Sequence, residues 1–571
     1  MEKIHGGECM KLLTPILLLC AFALSLFIRA ILPHDSVFTP SYIAFAADDA
    51  VYHMRLVESL VVNFPTKIWF EPFTIYPTGA SLHFGPLWTY MIAITSLILG
   101  LGTPSVILTQ TIGAYFPAIF GALTVFPVYF IGREVFNKPT GILAAFLIAV
   151  LPGQILTRSL LGFTDHHIGE VFFSTLFLMF FIFSIKNSKN INFCHLQNIN
   201  SYFKKPALIY SILAGVAFSL YLLQWSSGVF FGGIVIIFIT LHCIILHIKD
   251  ESLEGTIVVS MTTFAFALPV VLPFITTDNS FAVIRYSYLH VLITIGASFF
   301  FMFLYALSIK LNKNKIFYPR FYYPIALLFV FLFGIVISKL YIPSMYSSFM
   351  SFFAIFHQNV GGALTIAEAS PPTRDMIFFN YPGIYDFLST YYFAILAGIT
   401  LSVMLLFKYK PEQLLFLTWC ITIYGLTTGQ NRWFYYYSVN VALLSSFFVM
   451  SIISRTGIKA VLKNAKEEIT SIDSIQPFIS SNPIKVIVPF AISILIIMIV
   501  FLPNYAASTA IASQGTTSPS YAQWHESMTW MRDNTPDPGL DYNAVYSIPE
   551  IGTVFQYPNT SYGVMSWWDY G

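Results

Sequence analysis

The chain has 571 residues, 56% of them hydrophobic and only 10% charged, with a formal net charge of +2 and a mean hydropathy of +0.72. That much apolar surface excludes a soluble globular protein and requires a polytopic membrane protein set in a lipid bilayer; no nucleic-acid partner is expected. Cys9, Cys20, Cys194, Cys243 and Cys420 all fall outside the segments expected to be external, which excludes a disulfide framework.

In chain order, apolar runs long enough to cross a bilayer lie near 12–32, 106–131, 139–155, 167–185, 206–224, 226–247, 256–276, 287–309, 320–341, 388–407, 412–428, 433–454 and 486–503. The first is long enough to span and further spans follow it, so it reads as a retained anchor rather than a cleaved signal peptide. The fold expected is mainly α, with about thirteen transmembrane helices. A further run at 86–102 must be decided by topology. If it does not cross, 20 of the 29 lysines and arginines fall on one face, which the positive-inside rule makes the cytoplasm. If it crossed alone, every later loop would invert and that bias would break. The run is therefore expected to lie along the membrane or dip into it, within a first external loop over 33–105. The external face then also carries the segment around 156–166, a long loop over 342–387 and the tail from 504. Loops of such length are uncommon unless functional. Residues 1–503 read as a transmembrane domain and 504–571 as the start of an external soluble α/β domain.

Four external segments carry groups able to do chemistry. Asp48-Asp49-Ala50-Val51-Tyr52-His53 follows the first span; a carboxylate at a membrane boundary is a functional candidate, although a solvated loop acid is the ordinary case. Arg158 precedes Thr164-Asp165-His166-His167-Ile168-Gly169-Glu170 at the entry to the fourth span. Asp165 and His167, two residues apart, can present ligand atoms to one cation, and Asp165 can equally cap the helix that follows. Thr365-Ile366-Ala367-Glu368 sits midway along the 342–387 loop, after Gly361-Gly362 and before Pro371-Pro372, so that loop has a flexible hinge and a stiff exit. Arg432 opens the twelfth span; it either snorkels to the interface or clamps a phosphate. The chain closes on Trp567-Trp568-Asp569-Tyr570-Gly571, an aromatic wall beside one fixed acceptor, suited to gripping a short peptide that carries a hydroxyl.

Taken together, WWDYG, TIAE, the first-loop Asp before Tyr-His, the Asp-x-His pair and the Arg of the twelfth span resemble the catalytic subunit of oligosaccharyltransferase across essentially the whole chain. The Asp-x-His form is most similar to the archaeal single-subunit enzymes, which have a GT-C-type fold. That resemblance implies transfer of an oligosaccharide from a polyprenyl (dolichyl) phosphate or pyrophosphate carrier to Asn in Asn-x-Ser/Thr of an acceptor protein, with inversion at the sugar carbon. The active site would face outward from the cell membrane. By resemblance, Asp49 and Glu368 engage the acceptor amide, Arg158 orients these carboxylates, and Asp49, Asp165, His167 and Glu368 hold Mn2+ or Mg2+. Arg432, His83 and Trp225 take positions near the carrier phosphate. Trp567, Trp568 and Asp569, with Glu368, bind the acceptor sequon. Family members continue past WWDYG into a globular domain, so the sequence reads as truncated after Gly571. Two other readings are a protein O-mannosyl type of lipid-dependent glycosyltransferase, which should lack TIAE and WWDYG, and a secondary transporter, which should show internal repeats.

Overall fold

Apolar segments in lipid satisfy their backbone N–H and C=O groups by closing helical hydrogen bonds within the segment. The computed structural model of the chain is accordingly built almost wholly of α-helices. It describes residues 6–46, 48–82, 84–197, 203–275, 283–313, 319–354, 368, 370–372, 384–469, 474–515, 521–550 and 553–564. Among these residues, ten helices are long and apolar enough to cross a membrane, among them Leu13–Val37, Val106–Val135, His167–Lys186, Pro206–Gln224 and Asn431–Ile453. The other three expected spans are occupied by helices Lys138–Val150, Ile384–Phe407 and Pro411–Gly429. The run at 86–102 forms Pro86–Leu99, 14 residues long. At about 1.5 Å per residue it reaches about 21 Å, short of the hydrocarbon core of about 30 Å, but Lys138–Val150 is one residue shorter, so length does not separate the two.

The helices pack through small residues. His167–Lys186 lies on Pro206–Gln224, which lies on Glu254–Val271. Val125–Val135 meets Lys138–Val150 so closely that a Cβ on Gly132 would stand 2.8 Å from the Gly141 Cα. Such backbone approach supplies the dispersion contact that substitutes for a hydrophobic driving force in lipid. The boundary expected at 503 falls inside a single helix, Pro483–Gln514. Its Ala- and Ser-rich end stays helical because it packs on the Lys138–Val150 end: Ser508 Oγ donates to the Val150 carbonyl at 2.6 Å, and Ala507 and Ala512 are buried.

The segment 158–165 is held in place by a defect in a neighbouring helix. Pro117 lies inside Val106–Leu123, and a proline has no N–H to give the carbonyl four residues earlier. That carbonyl belongs to Gly113, and Thr164 Oγ1 donates to it at 3.0 Å. Backbone bonds add to this: Gly162 N donates to Ala114 O at 3.0 Å, Leu161 N to Arg29 O at 2.9 Å, and Ala46 N to Gly162 O at 2.9 Å. Gly162 takes a φ of +82°, and a Cβ there would meet Ala44 O at 2.9 Å, so glycine is required. From below, the fully buried Arg29 side chain donates to Ser159 Oγ at 2.8 Å, to Ser25 Oγ at 2.8 Å and to the Ala149 carbonyl at 2.7 Å. The first span, two further helices and the loop after the first span thus fix the residue before Asp165.

The described residues of 521–564, which have one helix (Tyr521–Asn534) and no strand, lie on the loop after the first span. Arg55 joins them: its Nη2 donates to the Tyr542 carbonyl at 2.6 Å and its guanidinium lies 3.7 Å from the Tyr542 ring centre. Tyr557 Oη donates to the Pro72 carbonyl at 2.7 Å, beside a short antiparallel pair, Phe70–Glu71 with Ala80–Ser81. Thr164→Val, close in shape, leaves the Gly113 acceptor buried and unbonded at a cost of about 1–3 kcal/mol. A lower thermal unfolding midpoint in detergent is expected; an unchanged midpoint would show that this bond holds nothing.

Candidate active site

Helix Asp48–Asn63 places His53 one turn after Asp49, and His167–Lys186 opens directly after Asp165-His166. Thr164, anchored on Gly113, aims Asp165 between them. Asp165 is 1% exposed, and its two oxygens meet three imidazoles. Oδ1 lies 3.2 Å from His53 Nε2 and 2.7 Å from His166 Nδ1; Oδ2 lies 3.0 Å from His167 Nε2. Asp165 Oδ1 also accepts the His166 backbone N–H at 2.6 Å. Behind the rings, Glu170 Oε1 lies 3.1 Å from His166 Nε2 and 3.0 Å from His167 Nδ1, while its Oε2 accepts from Tyr435 at 3.2 Å and from Tyr436. Tyr436 is in turn bonded to Tyr221 at 2.7 Å. All these groups are buried.

A buried charge persists only when compensated. Burial opposes ionisation of Asp165, but His167 and His166 outweigh it and hold the carboxyl well below the usual carboxylate range. Burial also opposes the His166 cation, yet Asp165 and Glu170 carry that ring up to about 10. Asp49 is at the open rim, exposed to water. Desolvation by the surrounding protein and the facing Asp165 charge nevertheless raise its proton affinity, against the pull of His53, His167 and His166.

A second charged group adjoins the first. Glu368 pairs with Arg158, and its Oε2 lies 3.5 Å from Arg432 Nη2. Burial disfavours the Glu368 charge, but Arg158, His167 and Arg432 together hold it below the ordinary range. Arg158 lies over the Tyr435 ring at 5.2 Å, and Arg432 lies 5.9 Å from the Trp225 ring. Asn431 N donates to the Ser370 carbonyl at 2.9 Å, and Gln154 Nε2 bonds Asn431 Oδ1 at 2.9 Å. These contacts tie the residues after Glu368 to the helix that begins at Asn431.

Of the residues expected from sequence, the structure brings Asp165 and His167 into contact, sets Asp49 within electrostatic reach of both, and joins Glu368, Arg158, Arg432 and Trp225 into one group. Glu368, expected also as a metal ligand, is paired with two arginines and belongs to neither side-chain cluster able to hold a cation; those are His53–Asp165–His166 and His166–His167–Glu170 among the described residues. His83, Trp567, Trp568, Asp569 and most of the 342–387 loop lie outside the described residues. Sequence reading gave no role to His53, His166 and Glu170. Helical spacing was the available signal: His53 is four residues after Asp49, and Glu170 is three after His167 and four after His166.

A helical bundle with an acid–imidazole centre at one membrane boundary, next to an arginine-clamped glutamate, defines the class: a multi-pass membrane protein of the glycosyltransferase fold. The chain belongs to the STT3 family of oligosaccharyltransferase catalytic subunits, since residues 18–499 match "Oligosaccharyl transferase STT3, N-terminal" and residues 521–571 match "AglB core domain". It is 31% identical to dolichyl-phosphooligosaccharide-protein glycotransferase 3 of Archaeoglobus fulgidus over 97% of this chain and 62% of that one. It is 27% identical to the dolichyl-monophosphooligosaccharide–protein glycotransferase AglB of Haloferax volcanii over 94% of this chain and 57% of that one. The solved AglB of A. fulgidus, in complex with an inhibitory peptide and a dolichol-phosphate, superposes with a TM-score of 0.85 at 28% identity, covering 98% of this chain and 63% of that one. The chain thus spans about three fifths of the length of these relatives.

The depressed Glu368 value carries a pH signature. Its pairing stabilises above the unfolded carboxyl value of about 4.3 and is lost as pH falls through the lower folded value. The difference in unfolding midpoint between the parent and Glu368→Gln is therefore expected to stay constant from neutral pH to about 5, to shrink as pH falls below about 4.3, and to vanish only below the depressed folded value. A difference that grows on acidification would contradict the pairing.

Proposed function

We propose that the protein transfers an oligosaccharide from a polyprenyl phosphate or pyrophosphate carrier to the side-chain amide of Asn in Asn-x-Ser/Thr, at the external face of the cell membrane. The observation that carries this reading is the Glu368–Arg158–Arg432 group beside the Asp165 centre. It sets acceptor carboxylates against a guanidinium whose Nε is buried with no hydrogen-bond partner among the described residues. The names of the relatives support it, because the A. fulgidus and H. volcanii proteins are glycotransferases acting from dolichyl-linked oligosaccharide to protein.

The chemical difficulty is the nucleophile, since an amide nitrogen shares its lone pair with its carbonyl. Ionised Asp49 and Glu368 can each accept one of the two N–H bonds of the Asn amide, favouring the rotated form in which the lone pair is free. Nitrogen then attacks the anomeric carbon as the carbon–oxygen bond to the phosphate breaks on the opposite side, inverting the configuration. The surplus amide proton leaves through one of these carboxylates. Arg432, over Trp225, presents unsatisfied N–H to the phosphate as negative charge collects on it. Arg158 keeps Glu368 ionised and oriented. Trp567, Trp568 and Asp569 read the Ser/Thr hydroxyl of the acceptor.

The donor set suits a divalent cation: ligand atoms of His53, Asp165 and His166 lie within 4.8 Å of one another, all three residues are buried, and His167 faces the other oxygen of Asp165. Asp165, His167, His53 and His166 would hold it, with Asp49 at the rim. When bound, Mn2+ or Mg2+ supplies positive charge that keeps these carboxylates ionised and offsets the charge of the leaving phosphate.

Incubating the protein with lipid-linked oligosaccharide, Mn2+ and an Asn-x-Thr peptide is expected to give glycopeptide that fails to form after chelation. Asp49→Ala should lower kcat by about 100-fold or more. Arg432→Met should raise the donor KM by about 10- to 100-fold, with peptide KM unchanged. Transfer that survives chelation and ignores Asp49→Ala would overturn the mechanism.

A further inference from the structure

Glu170 is 1% exposed and lies on the far side of the imidazoles from Asp165. One of its oxygens, Oε1, meets two different ring atoms: Nε2 of His166 at 3.1 Å and Nδ1 of His167 at 3.0 Å. A carboxylate can only accept, so each of those nitrogens must carry its proton. Asp165 can likewise only accept, so without a cation each ring is protonated on both nitrogens, and a bound cation would take the place of the proton on the other nitrogen. On His166 that is Nδ1, which lies 2.7 Å from Asp165 Oδ1 and 3.0 Å from His53 Nε2. On His167 it is Nε2, which lies 3.0 Å from Asp165 Oδ2. One oxygen thus holds the proton on Nε2 of one ring and on Nδ1 of the next, and turns the remaining nitrogen of each toward Asp165. The Glu170 carboxylate is itself fixed, because Oε2 receives the hydroxyls of Tyr435 and Tyr436 and cannot swing toward the centre without losing them. Tyr221 holds Tyr436 in turn.

We propose that Glu170 is a positioning residue of the cation centre: it holds the His166 and His167 rings so that His166 Nδ1 and His167 Nε2 converge with His53 Nε2 on Asp165. This rests on the cation reading above but not on the transfer reaction. A carboxylate behind a metal-ligating imidazole fixes the ring's tautomer and orientation, and its removal typically costs about 10- to 100-fold in metal affinity. A three-imidazole site also differs from the oxygen-only surroundings that suit Mg2+, so Mn2+ should bind more tightly than Mg2+.

Mn2+ affinity of the full chain in detergent, read by electron paramagnetic resonance without any glycan substrate, tests the proposal. Glu170→Leu is expected to weaken Mn2+ binding by about 10- to 100-fold, and Glu170→Gln, which keeps one acceptor oxygen, to recover most of it. Equal affinity in Glu170→Leu and the parent would overturn the proposal. A second measurement needs no variant: nitrogen NMR of histidine-labelled, Zn2+-loaded parent protein should show metal on His166 Nδ1 and His167 Nε2. The reverse pairing on either ring would overturn it. A parent chain that binds neither ion would instead overturn the cation reading itself, whatever Glu170 does.

Discussion

The active-site region depends on keeping one carboxylate charged where water cannot reach it. Asp165 is almost wholly buried, and an isolated carboxylate there would take up a proton instead of remaining ionised. It stays ionised because three imidazoles from two elements face its oxygens, and because Glu170 and a pair of tyrosines hold two of those rings. Each compensating group would be costly alone. Together they satisfy one another, and removing one member leaves the rest uncompensated.

That demand explains features of the surrounding bundle. Asp165 must be fixed to within a fraction of an ångström, yet it sits on an irregular segment between helices. The chain fixes it by making its neighbours irregular too: Pro117 frees a helix carbonyl for Thr164, Gly162 turns where no Cβ fits, and Arg29 holds Ser159 from within the bundle. Irregular backbone at this depth is tolerated because it is buried in protein and not exposed to lipid. The same stitching presents Arg158 to Glu368, so the segment that fixes the acid–imidazole centre also fixes the arginine pair beside it. The loop after the first span joins the two ends of the chain, carrying Asp49 and His53 on one helix and receiving the tail on Arg55 and Pro72.

How much of this was legible in the sequence follows from the range of each interaction. Membrane spans are local in sequence, and hydropathy located the runs that form the ten long apolar helices among the described residues. Asp165 and His167 are two residues apart and were legible as a pair. His53 and Glu170 were within reach of helical spacing. The pairing of Glu368 with Arg158 spans 210 positions, and no local pattern encodes it. The long Pro483–Gln514 helix was cut short at 503 because hydropathy falls there, whereas packing on Val150 carries the helix onward.

The central claim is that Asp165 and its three imidazoles form a single cation centre next to the Glu368–arginine group. Anomalous diffraction from Mn2+-soaked crystals, collected at the manganese edge, tests it most directly. One anomalous peak bounded by Asp165, His53, His166 and His167, with Glu368 still on its arginines, is the expected result. A peak elsewhere on the protein, or a soaked crystal with no peak at Asp165, would contradict it.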